Sequence, residues 1–200
     1  MIKVENWSDE EIKSYGRLIG EAFAASPGIA EKVPSEYIIN AFVFITEFYY
    51  KMGVLYATSE KYEGFLSYWD KKTKQPLKYS LQMIFKMMKV VPLKYLLLIG
   101  STSSEQYKKI YRSEADYIAI SMVVVLRGYQ GKGYMKNVLA PAFEEAERRG
   151  CPAVLDTDSR QKVTKYEHCG MKMVAEKDMG HGVKLYTMEY RENRYCAVSF

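Results

Sequence analysis

Residues 117–149 hold, in order, a β-rich run, a turn with three glycines in six residues and a helix. Tyr117-Ile-Ala-Ile-Ser-Met-Val-Val-Val125 is apolar almost throughout, the pattern of a central strand covered on both faces. Gly128-Tyr-Gln-Gly-Lys-Gly133 then turns the chain into a helix from about Gly133 to Arg149. Val138, Leu139, Ala142, Phe143 and Ala146 form its apolar stripe and Gly150 stops it. Pro141 inside that helix predicts a kink or a local opening. A strand entering a helix through such a turn aims unpaired backbone N–H groups and the positive helix end at one place. The chain is therefore constrained to a helix-on-sheet fold carrying an anion site. Gly131 and Gly133 let a ligand approach the backbone, and Lys132 adds a charge.

The pattern excludes two common phosphate loops. A Walker A loop needs Ser or Thr after its lysine, and Gly133 follows Lys132. A dinucleotide fingerprint counted from Gly131 and Gly133 would put its third glycine at Lys136. The turn also lies past the chain's midpoint, whereas a Rossmann domain usually opens with it.

The rest of the chain alternates helices and strands without repeats or low-complexity linkers. Ser8 to about Ala25 reads as a helix opened by a capping box of Ser8 and Glu11, with Ile12, Tyr15, Leu18, Ile19 and Phe23 on one face. A second helix is predicted from about Ser35 to Lys51. Residues 54–59 and 64–69 read as a hairpin. A lysine-rich helical stretch covers 78–100, followed by a helix near 103–111. After the glycine turn come a strand at 153–157, a helix at 159–169 stopped by Gly170, and strands at 171–177 and 183–191 joined through Gly180-His181-Gly182. This order predicts an α/β (α+β) domain. Its 200 residues fit one domain with one sizeable core.

Composition narrows the partners. The net charge is +5, compatible with anionic ligands and too small to argue for nucleic acid. Cys151, Cys169 and Cys196 are odd in number and show no metal-ligand spacing, and His168 and His181 are far apart in sequence, so no metal is expected. Cys169 reads as a small buried hydrophobe. The N-terminus lacks the apolar run of a signal peptide, and a reducing cytoplasm is the expected compartment. Residues 81–100 match a membrane span in length, but Lys86, Lys89 and Lys94 interrupt them and Pro92 breaks them. Two amphipathic helices are predicted there, able to lie on a membrane or close over a ligand, with no stable insertion.

The loop resembles the Gln-x-x-Gly-x-Gly/Ala pyrophosphate loop of the GNAT superfamily of N-acetyltransferases, with Gln130, Gly131, Lys132 and Gly133 in place. Met135 stands where that family usually has Gly or Ala, and Arg127 replaces a frequent proline. Lys165-Tyr-Glu-His-Cys-Gly-Met171 is similar to the family's Tyr-x-x-x-Gly-Phe block, with Tyr166 and Gly170 matching. The stretch 139–159 looks like one subgroup, which has a proline in this helix, a Leu-Glu-Thr-type strand after it and often Asn at the place of Lys162.

The resemblance implies a mixed, mostly antiparallel central sheet flanked by helices, with a helical insertion around 75–111. It implies one acyl-CoA-dependent domain over 1–200. The reaction implied is acetyl transfer from acetyl-CoA to the primary amine of a small molecule, by direct attack on the thioester. The donor would be held by the backbone of Val123, Val124 and Val125, by Gln130, Gly131, Lys132, Gly133, Tyr134 and Met135, and by Ser159. Tyr166 would give a proton to the leaving thiolate. Asp156, Glu21, Ser121 and an ordered water all remain open as the general base. A protein N-terminus or lysine as acceptor, and a non-catalytic acyl-CoA-binding domain, are the alternatives. A homodimer is admitted as a partner. The length of 75–111 suggests that this segment shapes the acceptor side, Phe85 and Met88 being the residues to test.

Overall fold

The structure is a computed structural model that describes residues 1–102, 105–180 and 182–192. The expectations for His181, Cys196 and the start of the 103–111 helix lie outside the described residues.

Strand β1 (Ile2–Lys3) leads into α1 (Asp9–Ala24), α2 (Ser35–Lys51) and the hairpin of β2 (Leu55–Ala57) and β3 (Gly64–Asp70). Three helices follow: α3 (Leu77–Met88), α4 (Leu93–Thr102) and α5 (Gln106–Ile110). Then come β4 (Ile118–Val125), α6 (Tyr134–Arg149), β5 (Ala153–Thr157), α7 (Arg160–Glu167), β6 (Lys172–Asp178) and β7 (Lys184–Tyr190). The seven strands form one sheet in the order β1-β2-β3-β4-β5-β7-β6. Every neighbouring pair is antiparallel except β4 with β5. This is the mixed, mostly antiparallel sheet flanked by helices that the resemblance implies.

Local signals set the helix ends. At α1, Glu11 N–H donates to Ser8 Oγ at 3.2 Å while Ser8 N–H donates to Glu11 Oε2 at 2.8 Å, the reciprocal capping box. The predicted stripe of α6 is buried residue for residue at Val138, Leu139, Ala142, Phe143 and Ala146. Burying each large member contributes about 1.5–3 kcal/mol. Pro141 does not interrupt α6, which runs as one helix from Tyr134 to Arg149. Pro92 does separate α3 from α4. Leu18, expected on the buried face of α1, is 40% exposed instead. Gly16 and Gly20 turn inward in its place: a Cβ there would lie 2.8 Å from Val43 Cα and 2.7 Å from Ile39 Cα. Two glycines let α2 press its backbone against α1, so the buried face passes through them and Leu18 points away.

The sheet has a core on each face. Trp7, Ile19, Phe48, Leu55 and Phe65 pack on the α1 and α2 side with Ala119 and Val124 of β4. Leu66, Ile118, Ile120, Leu155 and Tyr166 pack with α6 on the other. A third cluster joins α2 to α3 and α4 through Ile38, Met87, Val91 and Ile99.

Candidate active site

The site begins with a failure of pairing. β4 follows β3 in register from Ile118 to Val125, except that Ser67 pairs with Met122 and Tyr68 with Ile120. Ser121 is the extra residue of a β-bulge, which bends the strand there. On its other side β4 pairs with β5 only at Ile118–Ala153 and Ala119–Val154. β5 stays paired with β7 over its whole length, from Ala153–Tyr190 to Thr157–Tyr186. The two parallel strands therefore part, and beyond Ala119 no strand among the described residues lies against the edge of β4 that faces β5. Val123, Val124 and Val125 lie on this open edge. Val123 and Val125 turn their half-buried side chains toward the α6 core and Val124 turns the other way.

The glycine turn closes the far end of the parting. Arg127–Tyr129 form a short 3-10 turn, and Gln130 Nε2 donates to the Val125 carbonyl at 2.9 Å, tying the turn back to β4. Gly131 and Gly133 have φ of 75° and 80°, the left-handed region that favours glycine. Among the described residues, the N–H groups of Gly131, Lys132 and Gly133 make no hydrogen bond. A Cβ on Gly131 or Gly133 would meet nothing within 4 Å. Free donors, open space and a helix start coincide, so the turn fits a pyrophosphate-bearing donor. Lys132 does not stand free: its ammonium donates to the Gly128 carbonyl at 3.0 Å and lies 5.8 Å from the centre of the Tyr129 ring. Tyr134 and Met135 form the first turn of α6, with Met135 packed against the core.

Tyr166 projects from α7 into the same core. Its side chain is buried, and among the described residues its hydroxyl has no hydrogen-bond partner. Burial, with Asp158 nearby, pushes that hydroxyl well above the usual tyrosine range, so it keeps its proton at neutral pH. Ser159, buried at the start of α7, occupies the N-cap position without a side-chain capping bond. Cys169 is half-buried and its thiol is pushed up by burial, as suits a packing residue. Among the described residues no group of His, Cys, Asp and Glu is placed to hold a metal ion.

Along β5, side chains alternate between faces, so Leu155 joins Tyr166 while Asp156 shares the opposite face with Val154. There Thr187 Oγ1 donates to Asp156 Oδ1 at 2.6 Å and the Tyr107 N–H donates to Oδ2 at 3.4 Å. Burial raises this carboxyl above the usual range, and the bonds from Thr187 and the α5 backbone only partly oppose it. The Tyr107 hydroxyl donates to Glu105 Oε1 at 3.2 Å, and the Glu105 charge adds to the burial that pushes Tyr49 up to about 12. The Tyr49 hydroxyl in turn shares a 3.0 Å hydrogen bond with Ser121 Oγ, at the bulge. Of the open candidates for a base, Ser121 is bonded to Tyr49, and Asp156 to Thr187 and the Tyr107 backbone. Glu21 lies exposed on α1.

Within 75–111, α5 reaches Asp156 through the Tyr107 N–H, while Phe85 and Met88 of α3 are 62% and 59% exposed. The Lys162 ammonium donates to Asp158 Oδ1 at 2.6 Å. Asp158, Glu105, Tyr49 and Tyr107 escaped the sequence reading. The i, i+4 spacing of Asp158 and Lys162 was the one signal present; the others meet only through the fold.

Residues 98–171 match the acetyltransferase (GNAT) family. Solved structures with the same fold include arylalkylamine N-acetyltransferase 2 from Aedes aegypti, with TM-score 0.56 and 14% identity over 94% of this chain and 97% of that one. The polyamine N-acetyltransferase of Drosophila melanogaster, described as forming N-acetylagmatine, gives TM-score 0.57 and 8% identity over 94% and 98%. A chain of the NatC complex bound to Gag peptide and CoA gives TM-score 0.52 and 12% identity over 96% of each.

Proposed function

We propose that this chain, whose residues 98–171 match the GNAT acetyltransferase family, is a single-domain enzyme that moves an acetyl group from acetyl-CoA to a primary amine of a small molecule. The observation that carries this reading is the parting of β4 from β5 beyond Ala119 and Val154, with the glycine turn across its end. Two fold-mates named for arylalkylamines and a polyamine support an amine acceptor.

Gly131, Lys132 and Gly133 offer backbone donors to the pyrophosphate, and the start of α6 adds its dipole. Val123, Val124 and Val125 offer the polar groups of an unpaired strand edge to an extended chain, and one of their N–H groups can stabilise developing charge on a carbonyl oxygen. Gln130 holds the turn to β4, and in this reading Tyr134, Met135 and Ser159 complete the donor's contacts. Acetyl-CoA supplies the activated acyl group and the thiolate that leaves. Tyr166, buried and protonated, gives that thiolate its proton. Asp156 faces the other side of the sheet, and the parting is where the two sides meet. Its carboxyl, raised by burial, holds the acceptor amine and takes a proton from it.

A thermal-shift titration followed by a CoA-release assay with a panel of amines tests the reading. Acetyl-CoA at ~100 times its Kd should add about 2.7 kcal/mol of stability. No shift with acetyl-CoA or longer acyl-CoAs overturns the donor. A shift without CoA release from any amine leaves an acyl-CoA-binding domain in place of an enzyme.

A further inference from the structure

Residues 71–104 contain seven lysines and no aspartate or glutamate. In the fold this segment leaves a large apolar surface uncovered. Thirteen large hydrophobic side chains are exposed among the described residues, and eight of them fall between Leu77 and Leu97. On α3 they are Leu77, Leu81, Ile84, Phe85 and Met88, spaced 4, 3, 1 and 3 residues apart, so they line one face of the helix. Leu77 is 71% exposed. The opposite face carries Met83 and Met87 onto α2, so α3 is apolar inside and outside. On α4, Leu93 and Leu97 stand one turn apart at 63% and 68% exposure.

The lysines border this surface. Lys78 and Lys89 fall beside the apolar arc of α3, and Lys89 lies 4.6 Å from the centre of the exposed Phe85 ring. Lys94 opens α4 beside Leu93. Among the described residues none of these three meets a carboxylate, whereas Lys86, on the inner side, pairs with Glu47 at 2.7 Å. An apolar face of this size is unusual on a lone soluble chain. Self-pairing about a two-fold axis would bring each copy's lysines against the other's, with no acidic residue in the segment to offset them. An anionic surface with an apolar interior satisfies both the stripe and its rim.

We infer that α3 and α4 form an interfacial binding surface for an anionic lipid bilayer. The exposed leucines and Phe85 enter the acyl boundary, while Lys78, Lys89 and Lys94 stay at headgroup level. No described helix is long and apolar enough to cross a membrane, so the contact is peripheral.

The test is co-sedimentation of the full chain with vesicles of phosphatidylcholine alone or mixed with phosphatidylglycerol. Binding to the mixed vesicles, weakened by salt, is expected. The triple variant Lys78→Gln/Lys89→Gln/Lys94→Gln should weaken it by about fivefold per lysine, roughly a hundredfold in all. Leu81→Gln/Phe85→Gln/Leu97→Gln should also release the chain, and Lys172→Gln on β6 should not. All six substituted positions of the two triple variants are solvent-exposed, so the variants should melt as the parent does. As an optical readout, Phe85→Trp should shift its emission to the blue with the mixed vesicles only. Absence of binding to either vesicle overturns the proposal. So does binding indifferent to both triple variants, or a chain that ignores vesicles and dimerises through this face.

Discussion

The Asp158 carboxylate accepts a hydrogen bond from the backbone N–H of Ile29 at 2.7 Å, across 129 residues of chain. Its other oxygen holds Lys162 at 2.6 Å, with only 8% of the Asp158 side chain exposed. One carboxylate thus fastens the segment between α1 and α2 to the junction of β5 and α7, next to Ser159. Asp158→Ala should strand a mostly buried ammonium and an amide together and destabilise the fold by about 3 kcal/mol. Asp158→Asn keeps an acceptor for Ile29 and should lose less. Chemical denaturation of both variants checks the order.

Tyr166→Phe removes a hydroxyl that has no partner among the described residues and keeps the buried ring. Stability should stay within about 0.5 kcal/mol of the parent. Turnover should fall by about 10²–10⁴-fold, the usual worth of a positioned proton donor. Because burial raises the hydroxyl above its ordinary value of ~10, the parent should show no alkaline loss of activity below that pH from this group. A pH–rate profile of both proteins decides it.

Asp156 links pH to stability with a definite sign. Its native carboxyl titrates above the unfolded value, so the folded chain keeps a proton that the unfolded chain has released. Stability therefore declines as pH rises through that interval and stays lower above it. Asp156→Asn removes the penalty. The variant should melt at or above the parent's temperature at pH 7, the gain vanishing below about pH 4, while CoA release with amines falls sharply. Melting curves from pH 3 to 8, on the order of one per unit, are sufficient.

Gly133→Ala places a side chain at φ 80° without a clash, since nothing lies within 4 Å of its Cβ. The strain should be about 1–2 kcal/mol. The stabilisation by acetyl-CoA should drop further than the melting point does, because the new methyl group stands where the backbone must be approached. Gly128→Ala, with equal room and no positive φ, is the control and should retain that stabilisation.

What the sequence made legible was local. α2 begins directly after Pro34 and ends two residues before Gly53, and both punctuation marks are visible without a structure. The α6 stripe and the glycine turn were legible for the same reason: their signals lie within one helix and one turn. β1 is two residues long and takes its pairing from β2, more than fifty positions later, so no periodicity could announce it. Leu18 was misplaced because the burial of α1 depends on how closely α2 approaches Gly16 and Gly20. The Ser121–Tyr49 bond and the bonds of Asp156 to Thr187 and the Tyr107 backbone each join segments far apart in the chain, and no spacing encodes them.

The short overlap of β4 with β5 has a further consequence for how the molecule comes apart. Among the described residues, the ladders β1 to β4 and β5 to β7 pair with each other at two positions, Ile118–Ala153 and Ala119–Val154. Cohesion between them also draws on α6, which lies against β3, β4 and β5. Such a sheet can open at its seam without melting either half. Native-state amide exchange should then report two cooperative units, with the amides of β5 that face β7 among the last to exchange in the second.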